Sequence, residues 1–257
     1  MTERNTPWPV GAPAWVDISV TDLERSKQFY TAVLGWDYTG GDAAFGGYVN
    51  ATVHGRAVAG MAPPMQGVEE TPHVWTTYLA VDDSVATQAA IEAAGGRTAM
   101  APMEVGPFGT MGIFADPTGA VFGTWQAGSH TGFELYGVTG AVGWCEAMVA
   151  DFEKGKEFYT EVFGWGYTDL SSEQMQYATF GPAEDESNMS GGIGTEPGRS
   201  PYWAVTFGVD GTDEAVERVK EAGGGVLVEP FDFEYGRLAV ATGPDGEQFG
   251  LLTGTGS

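Results

Sequence analysis

Residues 22–39, DLERSKQFYTAVLGWDYT, are written a second time at 151–168 as DFEKGKEFYTEVFGWGYT, with 11 of 18 positions identical. The offset is 129 residues here, 128 between Val81-Asp82 and Val209-Asp210, and 127 between Gly119 and Gly246. The 257-residue chain is therefore one domain written twice, with small deletions in the second writing. Solenoid units repeat every ~20–50 residues, so a period this long belongs to a whole domain. Two domains of about 120 residues each fit ordinary domain size and can bury a core without metal or disulfide support.

Charge and cysteine usage narrow the partners. The chain carries 35 acids against 11 bases, a net charge of −24. Such a surface repels polyanions, which argues against nucleic acid and anionic membrane. The acidity either keeps the protein in solution or steers a cationic ligand towards it. Cys145 is the single cysteine, so no intramolecular disulfide framework exists. Met1 to Ala12 is a short polar tail, and no apolar stretch reaches the ~18 residues of a membrane span. A cytoplasmic location is expected.

Each copy reads with the same order of elements. In the first, alternation predicts a strand at 14–20, and helical periodicity runs over 23–34 behind the N-cap Asp22 and up to Gly35. Strands are expected at 37–39, 48–54 and 57–62. After a connector to Thr71 come a strand at 74–81, a helix at 84–94, and strands at 97–105, 110–115 and 120–126. The second copy gives strand 142–149, helix 152–163, strands 174–180 and 189–194, strand 202–209, helix 213–222, and strands 225–228, 237–242 and 248–252. Each copy is thus two βαβββ units. The expected organisation is a tail at 1–12, a domain at 13–127, a linker at 128–139 and a domain at 140–257. Phe133 and Tyr136 make that linker too aromatic for a free tether; it should pack on a domain.

The paired βαβββ units, the Phe-Tyr-x-x-Val-Leu/Phe-Gly-Trp helix end and the Asp-Pro-Thr-Gly119 turn resemble the vicinal-oxygen-chelate superfamily. That group includes glyoxalase I, extradiol dioxygenases and bleomycin- or fosfomycin-resistance proteins. More narrowly, the chain looks like the two-domain glyoxalase-like proteins of actinomycetes, some of which accompany aromatic polyketide antibiotic biosynthesis. The resemblance implies an α+β fold of two tandem glyoxalase-like domains, each a cup-shaped curved sheet built from two units. It also implies a place for a divalent metal, held by inward His, Glu or Gln side chains on four strands.

Counted from the shared motifs, those places fall on Trp15, Gly60, Thr76 and Gly123 in the first copy and Trp144, Gly192, Ala204 and Gly250 in the second. None is His, Cys, Asp or Glu. The three histidines, His54, His73 and His130, all lie in the first half. Both cups are accordingly expected to hold no metal and no other cofactor.

Alternation sends Val16, Ile18 and Val20 towards the helices and Trp15, Asp17 and Ser19 into the first cup. Tyr48, Asn50, Thr52 and His54 face inward likewise, as do Trp144, Glu146 and Met148 in the second copy. With Thr76, Tyr78, Trp125, Tyr177 and Arg237 they form the expected ligand-binding set, aromatic and largely neutral. A tryptophan there either packs a core or stacks on a flat ligand. Asp17 and Glu146, each two residues beyond a Trp, either tie the sheet through backbone or arginine partners, Arg97 and Arg237 being candidates, or serve as proton donor and acceptor. His54 is a third catalytic candidate, whereas His73 and His130 are expected at the surface. Trp36 and Trp165 should be core, and Cys145 an inert buried thiol. Met100, Met103 and Met111 either line a pocket or fill the core.

No P-loop, dinucleotide fingerprint or nucleophile elbow is present. The leading expectation is a metal-independent protein that binds a flat, largely apolar, aromatic small molecule, in antibiotic biosynthesis, resistance or detoxification. The alternatives are a metal-free isomerase, cyclase or accessory hydroxylation enzyme using Asp17 or Glu146, a metal-dependent lyase or dioxygenase with ligands elsewhere, and a protein-interaction role. With four units in one chain, a monomer or a homodimer is expected.

Overall fold

The computed structural model describes residues 2–64, 72–173, 175–182 and 190–254. A short strand β1 (Thr2–Glu3) precedes β2 (Pro13–Ser19), α1 (Leu23–Leu34), β3 (Asp37–Gly40), β4 (Val49–Val53) and β5 (Arg56–Ala62). The next unit is β6 (Thr76–Ala80), α2 (Ser84–Ala93), β7 (Arg97–Val105), β8 (Gly109–Ala115) and β9 (Val121–Ala127). Strand β10 (Leu135–Tyr136) lies between the copies and pairs with β1. The second copy runs β11 (Val142–Met148), α3 (Phe152–Phe163), β12 (Trp165–Asp169), β13 (Tyr177–Pro182) and β14 (Gly191–Gly194). It closes with β15 (Tyr202–Gly208), α4 (Thr212–Glu221), β16 (Gly225–Phe233), β17 (Gly236–Thr242) and β18 (Gln248–Gly254).

Each copy folds into one eight-stranded sheet, in the order β3-β4-β5-β2-β6-β9-β8-β7 and, equivalently, β12-β13-β14-β11-β15-β18-β17-β16. The two units of each copy meet where their first strands pair antiparallel, β2 with β6 and β11 with β15. The helices start where sequence chemistry places them. The Asp22 and Asp151 carboxylates each cap the N–H three residues on, at 3.1 Å, and Gly35 and Gly164 end the helices in the left-handed region with φ of 73° and 70°.

Three departures from periodicity have local causes. Strand β12 is short and glycine-containing, with too little alternation to stand out, yet it repeats β3. Strand β16 runs past Val228 to Phe233 despite Pro230, because it is an edge strand with two register shifts against β17. The expected strands at 174–180 and 189–194 begin at Tyr177 and Gly191; Gln174 and Met189 lie outside the described residues, as do residues 65–71 of the connector.

The core is the space between the sheets and the helices. Val16, Ile18, Cys145 and Ala147 are buried there, as are Trp36 and Trp165. The two sheets lock together reciprocally. Tyr30 of α1 donates to Glu247, in the last turn of the second sheet, at 2.8 Å, and accepts from Trp75 Nε1 at 3.3 Å. Tyr159 of α3 donates to Asp116, in the last turn of the first sheet, at 3.1 Å, and accepts from Trp203 Nε1 at 3.1 Å. Trp36 Nε1 donates to the Gly140 carbonyl at 2.5 Å, and Trp165 Nε1 to the Gly11 carbonyl at 2.9 Å.

Candidate functional site

The face of each sheet turned away from the helices carries a repeated polar constellation. In the first sheet the Tyr48 hydroxyl accepts from Trp15 Nε1 at 2.8 Å and donates to Asp17 Oδ2 at 3.2 Å. In the second the Tyr177 hydroxyl accepts from Trp144 Nε1 at 3.0 Å and donates to Glu146 Oε2 at 2.8 Å. All three partners recur at the offset of 129 residues. That constant offset of Tyr48 and Tyr177 was the available signal that tryptophan, tyrosine and acid act as one unit.

Burial sets the electrostatics. It pushes the Asp17 carboxyl up to about 7, against the hydrogen bonds from Tyr78 and Tyr48 that favour its charged form. It raises Glu146 in the same way, opposed by the bonds from Tyr177 and Trp144, with Glu196 adding like charge. The tyrosines answer in kind: Tyr48, Tyr78 and Tyr177 are all driven above the ordinary phenol range, first by burial and then by the neighbouring acid. Neither acid meets an arginine. Arg237 lies on the helix side of β17, gripped by Asp213 at 2.5 Å and Asp232 at 2.9 Å.

Two glycines on this face exist to make room. A Cβ at Gly60 would overlap the Tyr48 hydroxyl, and one at Gly192 would overlap the Tyr177 hydroxyl. Gly123 sits under the Tyr78 ring, and Gly250 under Thr206, in the same fashion. The register confirms that these are neighbours: Asp17 lies opposite Gly60, and Tyr78 opposite Gly123 and Trp15.

A family model described as the Glyoxalase/Bleomycin resistance protein/Dioxygenase superfamily matches residues 12–123 and again 141–251. The chain belongs to the glyoxalase/bleomycin resistance/dioxygenase superfamily. Within this superfamily it is 36% identical over 249 residues to the Mycobacterium tuberculosis protein CFP32, which carries a glyoxylase name; 94% of each chain is covered. It is 34% identical over 255 residues to the anthracycline biosynthesis protein DauV of Streptomyces sp. strain C5, covering 94% of this chain and 93% of that one. In fold it is similar to a Mn(II)-bound glyoxalase from Novosphingobium aromaticivorans, with a TM-score of 0.67 at 20% identity, over 95% of this chain and 82% of that one.

The superfamily's metal does not fit the side chains present. Each constellation offers one carboxylate, and the places that the sequence motifs mark out for metal ligands carry tryptophan, threonine, alanine and glycine, with tyrosine or threonine side chains lying over the glycines. Among the described residues no group of three or more His, Cys, Asp or Glu side chains could hold a metal ion. Thiolate chemistry is no substitute, since burial pushes Cys145 up to about 12.

Other expected site residues have mixed placements in this superfamily cup. Ser19, Asn50, Thr76 and Met148 are half-buried on or beside the inner face, and Thr52 is fully buried. Ser19 Oγ and Asn50 Oδ1 are shielded from solvent with no hydrogen-bond partner among the described residues. Four expectations fail. Arg237 is held on the opposite face by its ion pairs, and His54 lies beyond the end of β4, exposed in the turn to β5 with φ of 51°. Neither His73 nor His130 is a free surface group. His73 Nδ1 lies 2.9 Å from the Ser19 carbonyl and Nε2 3.1 Å from Thr21 Oγ1, tying the connector to the end of β2. His130 packs its ring edge on Trp15 at 4.4 Å, and Trp125 Nε1 donates to its carbonyl at 2.9 Å. Met111 packs on the core while Met103 is exposed.

Sequence reasoning missed a rim group in the second cup. Tyr202 donates to Glu196 at 2.5 Å, and Arg199 pairs with Glu196 at 3.1 Å, donates to Gln248 and lies over the Tyr202 ring at 4.0 Å. Tyr202, which pairs with Met148, and Gln248 sit on strands. Glu196 and Arg199 come from the loop before β15, whose path no periodicity reveals. Among the described residues no helix is long and apolar enough to cross a membrane.

Proposed function

We propose that this chain is a metal-independent small-molecule-binding protein whose cup takes a flat, largely apolar ligand in natural-product biosynthesis, resistance or detoxification. One observation carries the reading: tyrosine hydroxyls lie over the glycines at two of the places that the sequence motifs mark out for metal ligands, each bonded to a tryptophan and a carboxylate. What remains is an aromatic wall with one acceptor in each cup, suited to stacking and a single polar contact. The anthracycline name of the Streptomyces relative supports the setting, since anthracyclines are flat polycyclic aromatics.

Titration calorimetry of the purified protein against aromatic polyketides, with elemental analysis of the same sample, tests this. Saturable binding by metal-free protein is expected. A stoichiometric metal whose chelation abolishes binding would overturn the reading, and so would absence of binding at high protein concentration.

A second reading is favoured by the raised Asp17 and Glu146 carboxyls, which suit a general acid–base in an isomerisation or cyclisation. If turnover of a bound compound is found, Asp17→Asn or Glu146→Gln should lower kcat by about 100-fold or more with little change in binding. Unchanged turnover in both variants removes this reading.

A further inference from the structure

Building on the ligand-binding reading above, we propose that the ligand site is the cup of the second sheet, that it takes a flat aromatic cation, and that the cup of the first sheet is filled by the chain's own linker. The first half of the inference rests on what covers Trp15. His130 and Phe133 both pack on this indole, at 4.4 Å and 5.6 Å between ring centroids, and Phe133 is fully buried. The Phe133 N–H donates to the Ala14 carbonyl at 2.7 Å and the Glu134 N–H to the Ala57 carbonyl at 2.9 Å, while the Glu134 carboxylate accepts from the Ala57 N–H at 2.8 Å. At its other end the linker is held by the hairpin between β7 and β8, where the Phe108 carbonyl accepts from Gly128 and His130. Phe108 in turn meets Phe45 at 5.0 Å. Trp15 is left 4% exposed. A ligand would have to displace a hydrogen-bonded, buried segment to reach it.

The second cup is different. Trp144 and Tyr177 are half-buried, and among the described residues no ring packs on either. Register places Trp144, Thr206, Gly250 and Val240 on one face, with Leu252, Leu238 and Phe231 next along it. Phe231 begins an aromatic row that continues through Phe233 and Tyr235, with successive ring separations of 6.2 Å and 5.8 Å. All three are exposed, Tyr235 by 54%, and Tyr235 lies within electrostatic reach of Tyr177. The counterpart hairpin of the first sheet is engaged with the linker; this one presents its rings to the cup.

Charge decides the ligand's sign. Glu146 has one oxygen engaged by Tyr177, and with Glu196 paired to Arg199 the cup is left with the one unpaired negative charge of this carboxylate. The nearby Arg199 is already matched by Glu196 and stacked on Tyr202. A flat cation placed between Trp144 and the aromatic row would gain stacking and cation–π attraction and meet Glu146 edge-on. The net charge of −24 favours the encounter.

The test uses the full chain and 9-aminoacridine, a flat aromatic cation, followed by its fluorescence. Photolabelling with 9-azidoacridine, competed by the parent dye, locates the site. Saturable binding is expected, with label on β11, β13 or the β16–β17 hairpin, and affinity about tenfold lower in Glu146→Gln. Tyr235→Ala, at an exposed hairpin tip, should also weaken binding several-fold and guards against a folding defect in the first variant. Label on β2, β4 or the linker would overturn the assignment to the second cup while leaving the proposed function standing. Equal or tighter binding of anthracene-9-carboxylate would overturn the cation. No saturable binding of either dye would overturn this inference, whereas polyketide binding measured in the same samples judges the proposed function separately.

Discussion

Asp17 is half-buried between two tyrosine hydroxyls, with no cation to balance it. Its folded-state carboxyl titrates at about 7, above the ordinary value of 3.8, so the folded chain holds a proton that the unfolded chain releases. The associated stability is fully present below about pH 4 and is lost as pH rises through 7. Glu146 and Glu247 are raised as well and act with the same sign. Asn is close in shape to the neutral acid. Asp17→Asn should therefore match the parent in urea denaturation at about pH 3, below both values, and exceed it by a few kcal/mol at pH 8. A variant less stable than the parent at pH 8 would show that the charged form is the one the fold prefers. The glycines under the tyrosines give a second residue-scale expectation. Gly60→Ala and Gly192→Ala must push a bonded hydroxyl aside, and each should destabilise by about 1–3 kcal/mol in the same assay.

At the scale of elements, legibility followed chemistry that is local. Helices α1 and α3 could be bounded from Asp22, Asp151, Gly35 and Gly164, because a cap and a left-handed stop are set by neighbours in the chain. Replacing Asp22 or Asp151 by Ala should cost about 1 kcal/mol each, read as a lowered denaturation midpoint. The inner and outer faces of β2 and β11 were equally readable, since alternation has a period of two. Arg237 shows the limit. It lies on a strand in the right unit, but which face it takes is decided by Asp213 on α4, 24 residues away. His54 fails for a related reason: alternation says nothing once a strand has ended. The cover over Trp15 was legible only in part. Phe133 and Tyr136 marked the linker as one that packs on a domain, but where it packs is decided by Ala14 and Ala57, whose carbonyls lay the segment across the sheet.

At the scale of the molecule, the two copies are joined by buried polar bonds that cross between them in both directions. Tyr159 is buried with its hydroxyl between Asp116 and Trp203, so Tyr159→Phe leaves an indole N–H and a carboxylate oxygen without a partner. A loss of about 1–3 kcal/mol is expected, with a single unfolding transition retained. Two separated transitions, followed by fluorescence and by far-ultraviolet dichroism, would show that the copies fold independently after all.

Those crossing bonds also impose an order on synthesis. Tyr30 bonds to Glu247, 217 residues further along, and Trp36 to the Gly140 carbonyl, 104 residues on. The first copy thus emerges from the ribosome with the Tyr30 hydroxyl lacking its carboxylate acceptor and its helix face bare. It stays incomplete until the final turn of the second copy has been made. For a chain elongating at roughly 5–20 residues per second, that interval is on the order of ten seconds or more. During it, the first copy offers a nascent surface to chaperones and to neighbouring chains on the same message.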